Sequence, residues 1–233
     1  MIRECIVIAG GLGTRLSPVW NATPKVLAPV NGFPFLYYLL KYLKEQKITR
    51  LVFALGFKSE IVEEWLRSNP VGLDIILSIE DNPLGTGGAI RKALDYCQTE
   101  DIFYINGDTF FNVDFSLLES RYHQMLKKVC IAIKPMKNPF RYGTVELVDS
   151  VNVRSFKEKA EIGYGFVNGG VGVFSKSFLI EFTKMEVFSF EKDFLEVIAP
   201  LGFLGAVEFN EYFIDIGVPE DYQKAQGDFK RLL

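Results

Sequence analysis

Residues 4–16 read Glu4-Cys5-Ile6-Val7-Ile8-Ala9-Gly10-Gly11-Leu12-Gly13-Thr14-Arg15-Leu16. The apolar run from Ile6 to Ala9 closes on two glycines, the pattern of a buried strand that ends in a tight turn. Glycines after a strand let the backbone approach a ligand, and successive N–H groups form a concavity for phosphate. Arg15 adds a permanent, forked cation suited to an anionic oxygen. The loop is neither a P-loop nor a dinucleotide fingerprint. Gly-Lys-Ser/Thr is absent, and Leu16 stands where the third glycine would be. Read alone, the segment also serves as a plain strand-to-helix turn.

Outward from this stretch, short apolar runs recur at Leu51–Leu55, Ile75–Ile79, Ile102–Ile105 and Val129–Ile133. Between them lie helical patterns. Leu36, Leu39, Leu40 and Leu43 fall at i, i+3, i+4 and i+7, and Ile61, Val62, Trp65 and Leu66 likewise pair at i+3 and i+4. Ala89 to Tyr96 and Leu117 to Leu126 read as helices too. Strand and helix in alternation predict βαβ units and a mostly parallel sheet, with ligands at the carboxyl ends of the strands. Past Pro139 the pattern changes to short strands at Thr144–Leu147, Val151–Phe156 and Gly170–Phe174. Helical stretches follow at Phe178–Phe182 and Phe194–Ile198, then a strand from Val207 to Phe213 and a last helix from Pro219 to Leu232. The expected fold is α/β: a doubly wound, mostly parallel, Rossmann-like mixed sheet flanked by helices, with a small antiparallel lobe. The chain of 233 residues reads as one domain, residues 1–135 forming one half and 136–233 the other.

Composition excludes several classes. Apolar residues make up 48% and the net charge is −3, so the chain has a core to bury and is not disordered. It lacks the basic excess of proteins that bind nucleic acid, and the same balance argues against an anionic membrane surface. The N-terminus carries charge after two residues and does not read as a signal peptide. The longest fully apolar stretch, Phe33 to Leu40, is far short of the ~20 residues that span a bilayer. A soluble, cytoplasmic protein is expected. Cys5, Cys97 and Cys130 show no paired spacing and read as buried thiols in a reducing compartment. His123 is the sole histidine, which argues against Ser/His and Cys/His triads and histidine-rich metal sites.

Four further segments carry chemistry. Thr23-Pro24-Lys25 fixes the backbone before a lysine, whose compact charge suits a phosphoryl oxygen, although a lone lysine is more often solvated. Asn82-Pro83-Leu84-Gly85-Thr86-Gly87-Gly88-Ala89 follows a predicted strand and opens a helix with small residues against which a flat base can lie, or is simply a glycine-rich helix entry. Asn106-Gly107-Asp108 follows a predicted strand, and its carboxylate is either an ordinary turn aspartate or is placed for Mg²⁺, which prefers oxygen ligands. Asp215 lies in an apolar segment where an unpaired charge is costly, so Asp108 and Asp215 form a candidate Mg²⁺ pair. Phe156-Lys157-Glu158-Lys159 can bind a phosphate and a sugar hydroxyl, or be an ordinary charged turn.

In order along the chain, these pieces resemble the sugar-1-phosphate nucleotidylyltransferases. The matching segments are Gly10–Leu16, Pro24–Lys25, Pro83–Ala89, Asn106–Asp108, Glu158–Lys159, Asn168–Phe174 and Asp215–Tyr222. Ala160 follows Lys159 where several members carry a proline. The wording is most similar to the heptose-1-phosphate guanylyltransferase branch, whose products feed bacterial surface polysaccharides; mannose-1-phosphate guanylyltransferase is the alternative. The resemblance implies condensation of a nucleoside triphosphate, GTP in this branch, with a sugar 1-phosphate, D-glycero-α-D-manno-heptose 1-phosphate in this branch. It implies a nucleotide site of Ala9, Gly10, Gly11, Gly13, Thr14, Arg15, Gly85, Gly87, Gly88 and Asn106, with Arg15, Lys25 and Asp108 catalytic. It further implies a lobe binding the sugar phosphate through Gly143, Glu158, Lys159 and Asn168, and Mg²⁺ on Asp108 and Asp215. A homo-oligomer is left open. A metal-dependent glycosyltransferase would need a second carboxylate two residues after Asp108, where Phe110 stands. A regulatory subunit on the same fold would be expected to lose Arg15, Lys25, Asp108 or Lys159, and all four are present.

Overall fold

In a computed structural model, the described residues are 1–11, 16, 20, 23–139, 141–158 and 163–230. In chain order the first elements are β1 (Glu4–Ile8), the β2–β3 ribbon (Pro29–Val30, Phe33–Pro34), α1 (Phe35–Glu45), β4 (Arg50–Leu55), α2 (Ser59–Ser68) and β5 (Asp74–Ile79). They are followed by α3 (Gly85–Ala93), β6 (Asp101–Asn106), β7 (Thr109–Phe111), α4 (Phe115–Met125) and β8 (Val129–Lys137). The second part contributes β9 (Gly143–Leu147), β10 (Val153–Glu158), β11 (Tyr164–Ser175) and α5 (Lys176–Phe182). A π-helical segment, Phe190–Leu195, runs into α6 (Glu196–Ile198), and β12 (Leu204–Glu208), β13 (Phe213–Asp215) and α7 (Pro219–Asp228) end the described chain.

Three strands of the sheet, β1, β4 and β6, show why they read as unbroken apolar runs. Cys5, Val7, Leu51, Phe53, Leu55, Phe103 and Ile105 pack on the face covered by α1, α2 and α4. Their alternates, Ile6, Val52, Ala54, Ile102 and Tyr104, pack on the opposite face under α3, α5 and the π-helical segment. Side chains alternate along a strand, so a sheet buried on both faces needs apolar residues at every position. Asp114 caps α4, its Oδ1 accepting from the N–H groups of Ser116 and Leu117 at 2.8 and 3.1 Å. All three cysteines are buried, and burial pushes the Cys97 and Cys130 thiols up to about 12, away from reactivity.

Topology fixes where a ligand can sit. β5, β4, β1 and β6 lie side by side and parallel. The chain runs outward from β1 to β5, then returns to place β6 on the other side of β1. The order reverses between β1 and β6, and the crevice beyond their carboxyl ends is the usual ligand site of such a sheet. Beyond β6 the sheet turns antiparallel: β11 pairs with β6, β8 and β9, and β9 with β10. The sheet as a whole is thus mixed, with its parallel block flanked by helices.

One expected element is divided. The stretch Val207 to Phe213 is not a single strand: β12 ends at Glu208 and pairs in parallel with β8, whereas β13 begins at Phe213 and pairs with β7. Asn210 and Glu211 break the run, and the chain crosses from the main sheet to a separate ribbon. Among the described residues no helix is long and apolar enough to cross a membrane.

Candidate active site

Two contiguous cavities open at the switch point, sharing Ile8, Gly11 and Thr86 as walls. The first, about 330 Å³, is lined by Ala9, Gly11, Lys25, Asn106, Asp108, Gly143, Asn168 and Asp215, among others. The second, about 410 Å³ and more apolar in its lining, has walls from Gly10, Gly56, Phe57, Glu80, Asn82, Pro83 and Gly85.

The β7–β13 ribbon brings two carboxylates together from positions 108 and 215. Asp215 stands opposite Thr109, and the Ile216 N–H donates to the Asp108 carbonyl at 2.9 Å. Lys25 enters from a short 3₁₀ turn after Pro24. Its Nζ donates to Asp108 Oδ2 at 2.8 Å, with the two side chains 14% and 24% exposed. A Cβ placed on Gly217 would sit 2.6 Å from Asp215 Oδ1, 3.3 Å from Lys25 Nζ and 3.4 Å from Asp108 Oδ2. The three charged groups therefore surround one point, and Gly217 keeps that point clear. Its own N–H donates to Asp215 Oδ1 at 2.7 Å. Two carboxylates side by side at the cavity wall fit Mg²⁺, which takes few protein oxygens and completes its shell with phosphate and water. Among the described residues no three His, Cys, Asp or Glu side chains gather to cage a metal.

Asn168 reaches the cavity because β11 is irregular there. Its register against β8 shifts between Asn168 and Gly172, and Gly170 takes φ +68°, a left-handed value that glycine adopts without strain. Asn168 Oδ1 accepts from the Gly170 N–H at 3.2 Å, which leaves the side-chain amide as a donor. Gly143 stands opposite Glu158 in the β9–β10 ladder.

Not every expected residue is at a cavity wall. Gly87 and Gly88 are absent from the lining of both cavities, and packing explains them. A Cβ on Gly87 would meet the Phe188 ring at 2.2 Å, and one on Gly88 would meet the Glu186 carbonyl at 2.2 Å. These glycines let the chain at 186–188 lie on α3, where the Gly87 N–H donates to the Phe188 carbonyl at 2.9 Å. Gly88→Ala overpacks this contact and is expected to cost about 2–3 kcal/mol, lowering the melting temperature by roughly 4–10 °C. A thermal melt unchanged from wild type would contradict it. Gly13, Thr14, Arg15 and Lys159 lie outside the described residues, and Glu158 is described through its backbone alone.

The structure adds residues that the sequence reading did not single out: Glu80, Thr86, Arg141, Tyr142 and Glu191. Arg141 holds Asp221 of α7 at 2.7 Å. Glu80 packs against Gly10 and Gly56, its Oε2 accepting from the Leu84 N–H at 3.1 Å. Burial raises its carboxyl above the usual range, against the opposite pull of the Leu84 N–H and Lys92. A glutamate directly after an apolar strand and before a glycine-rich turn was the available signal. No local pattern marks Glu191.

Comparison with known proteins gives concordant matches. The family model described as Nucleotidyl transferase matches residues 4–231. The chain is 41% identical over 219 residues to the D-glycero-alpha-D-manno-heptose 1-phosphate guanylyltransferase of Campylobacter jejuni subsp. jejuni, covering 94% of this chain and 96% of that protein. It is 42% identical over 231 residues to the protein of the same name from Aneurinibacillus thermoaerophilus, covering 99% and 100%. The crystal structure of HddC from Yersinia pseudotuberculosis complexed with GMP-PN superposes with a TM-score of 0.87 at 36% identity, covering 98% of this chain and 100% of that one.

Proposed function

The chain belongs to the nucleotidyl transferase family, and on that premise we propose that it is a sugar-1-phosphate guanylyltransferase. It condenses GTP with D-glycero-α-D-manno-heptose 1-phosphate to give GDP-heptose and pyrophosphate. The observation that carries the reaction class is the meeting of Lys25, Asp108 and Asp215 around one point, beside a glycine-lined cavity at the switch point. The two relatives named for this activity support the choice of heptose. Synthesis of a heptose-containing surface polysaccharide in the cytoplasm is the setting this reading implies.

A phosphate oxygen of the sugar 1-phosphate attacks the α-phosphorus of GTP in line. A new P–O bond forms, the bond between the α-phosphorus and its bridging oxygen breaks, and pyrophosphate leaves with the electron pair. The nucleophile is largely a dianion at neutral pH, since the second pKa of such a phosphate is ~6. Catalysis then rests on alignment and charge neutralisation. Lys25 neutralises charge growing on the α-phosphate. Asp108 and Asp215 are the residues that would hold Mg²⁺, which when bound supplies positive charge to the triphosphate oxygens. The Gly11 amide faces the phosphates, and Asn168 and Gly143 face the sugar.

Glu80 supports guanine. Ionised, a carboxylate only accepts hydrogen bonds. Guanine presents two adjacent donors, N1–H and the N2 amino group, whereas adenine presents an acceptor at N1. With Oε2 already taking the Leu84 N–H, Glu80 offers its remaining lone pairs to that donor pair. Glu80→Gln is expected to lower kcat/KM for GTP about 100-fold, since each hydrogen bond to a charged group contributes about 1.5–3 kcal/mol. Acidification should weaken GTP binding as Glu80 takes up a proton, with a midpoint above that of an ordinary glutamate. The glutamine variant should lose that pH dependence.

Pyrophosphate release tests the whole reading. Four nucleoside triphosphates are mixed with heptose, mannose and glucose 1-phosphates in the presence of Mg²⁺. GTP with the heptose phosphate should be the fastest pair, and failure of every pair refutes the assignment.

A further inference from the structure

Glu191 lines the cavity that holds Lys25, Asp108 and Asp215 but has no part in the triphosphate chemistry just described. It lies in the first turn of the π-helical segment, a geometry that often marks functional sites. One of its oxygens is held by a directed chain of hydrogen bonds. The Phe190 N–H donates to Thr86 Oγ1 at 2.9 Å. That hydroxyl's single proton then goes to Glu191 Oε2 at 2.7 Å, and Ser189 Oγ donates to the same oxygen at 3.2 Å. Among the described residues no donor reaches Oε1. The carboxylate is thus fixed by one oxygen and presents the other as an acceptor.

Asn168 lines the same cavity with the opposite polarity. Its Oδ1 is taken by the Gly170 N–H, so its amide donates. A sugar hydroxyl is both donor and acceptor, and a cavity with one fixed acceptor and one fixed donor matches it. We propose that Glu191 accepts a hydrogen bond from a ring hydroxyl of the sugar 1-phosphate and so selects which sugars are used. This rests on the sugar-phosphate reading above and adds the residue that discriminates among sugars.

Glu191→Gln separates this role from a structural one. The glutamine carbonyl still accepts from Thr86 and Ser189, so the internal network survives. Only the second oxygen changes, from acceptor to donor. KM for the sugar 1-phosphate should rise roughly 10- to 100-fold, with KM for GTP within about twofold and the melting temperature within about 1 °C of wild type. Sugar 1-phosphates each lacking one ring hydroxyl then locate the contact. The variant should be penalised on every analogue except the one that lacks Glu191's partner. An equal penalty on all analogues, a penalty on GTP instead, or one that vanishes with 2′-deoxy-GTP would overturn the proposal. Should the glutamine variant melt early, Thr86→Val releases the carboxylate without altering its charge. It should raise KM for the sugar phosphate alone, and an unchanged KM would overturn the assignment. An unpenalised Glu191→Gln with active wild type refutes only Glu191's role. An inactive wild type refutes the underlying reading.

Discussion

Asp108→Asn is expected to lower kcat by about three orders of magnitude. The substitution keeps the shape of the side chain and can still accept a hydrogen bond from Lys25, which now lies 2.8 Å away. The Asp108 carbonyl also keeps the Ile216 N–H, so the β7–β13 ribbon and the fold survive. What disappears is one of two negative charges at the point above Gly217. Loss of a single preorganised group at developing charge typically costs about 10²–10³ in kcat, and a lost ligand to a divalent ion lies at the upper end. Asp215→Asn should fall by a similar factor. If both act through one ion, the double variant falls little further than either single one, because residues that work as a unit are not additive. The check is steady-state turnover with Mg²⁺, alongside Mn²⁺ binding in the presence of a non-hydrolysable GTP analogue. Full turnover in either single variant removes the metal proposal.

Lys25→Ala should lower kcat by about 10²–10³ while KM for GTP changes little. Lys25 is the counter-ion of Asp108. With a divalent cation held by Asp108 and Asp215, the ammonium would turn to the substrate. Its attraction is greatest when the α-phosphate carries most charge, at the transition state, and interactions stronger there than in the ground state act on kcat. Lys25→Arg should not restore full rate, because a planar fork does not reproduce a compact point charge delivered from a short turn. A rise in KM with kcat intact would show instead that Lys25 binds substrate and transition state alike.

The parallel half of the sheet was legible because burial on both faces leaves nearly uninterrupted apolar runs, as in Leu51–Leu55 and Ile102–Ile105. The site was legible where chemistry sits at a strand end, as with Asp108. That Asp108 meets Asp215 through a ribbon was not readable, since β7 is three residues long and gives no periodicity. The run at Val207–Phe213 misled because hydrophobicity alone cannot show a chain leaving one sheet for another. Gly87 and Gly88 stood in a nucleotide-like motif, yet their immediate constraint is the backbone at 186–188. Glu80 and Glu191 acquire meaning only from neighbours brought by tertiary folding, such as Gly56 and Thr86. Propensity and spacing are blind to such pairs.

β11 spans twelve residues, and its Asn168, Gly169 and Gly170 line the cavity that holds Lys25, Asp108 and Asp215. Its pairing with β6, β8 and β9 locks it on three neighbours at once. An insertion or deletion of one residue would turn every following side chain to the opposite face, expelling Asn168 or burying a polar neighbour. On the sugar-phosphate reading proposed above, sugar preference on this frame would change by exchanging side chains such as Asn168 and Glu191, with length variation confined to the connections outside the strand.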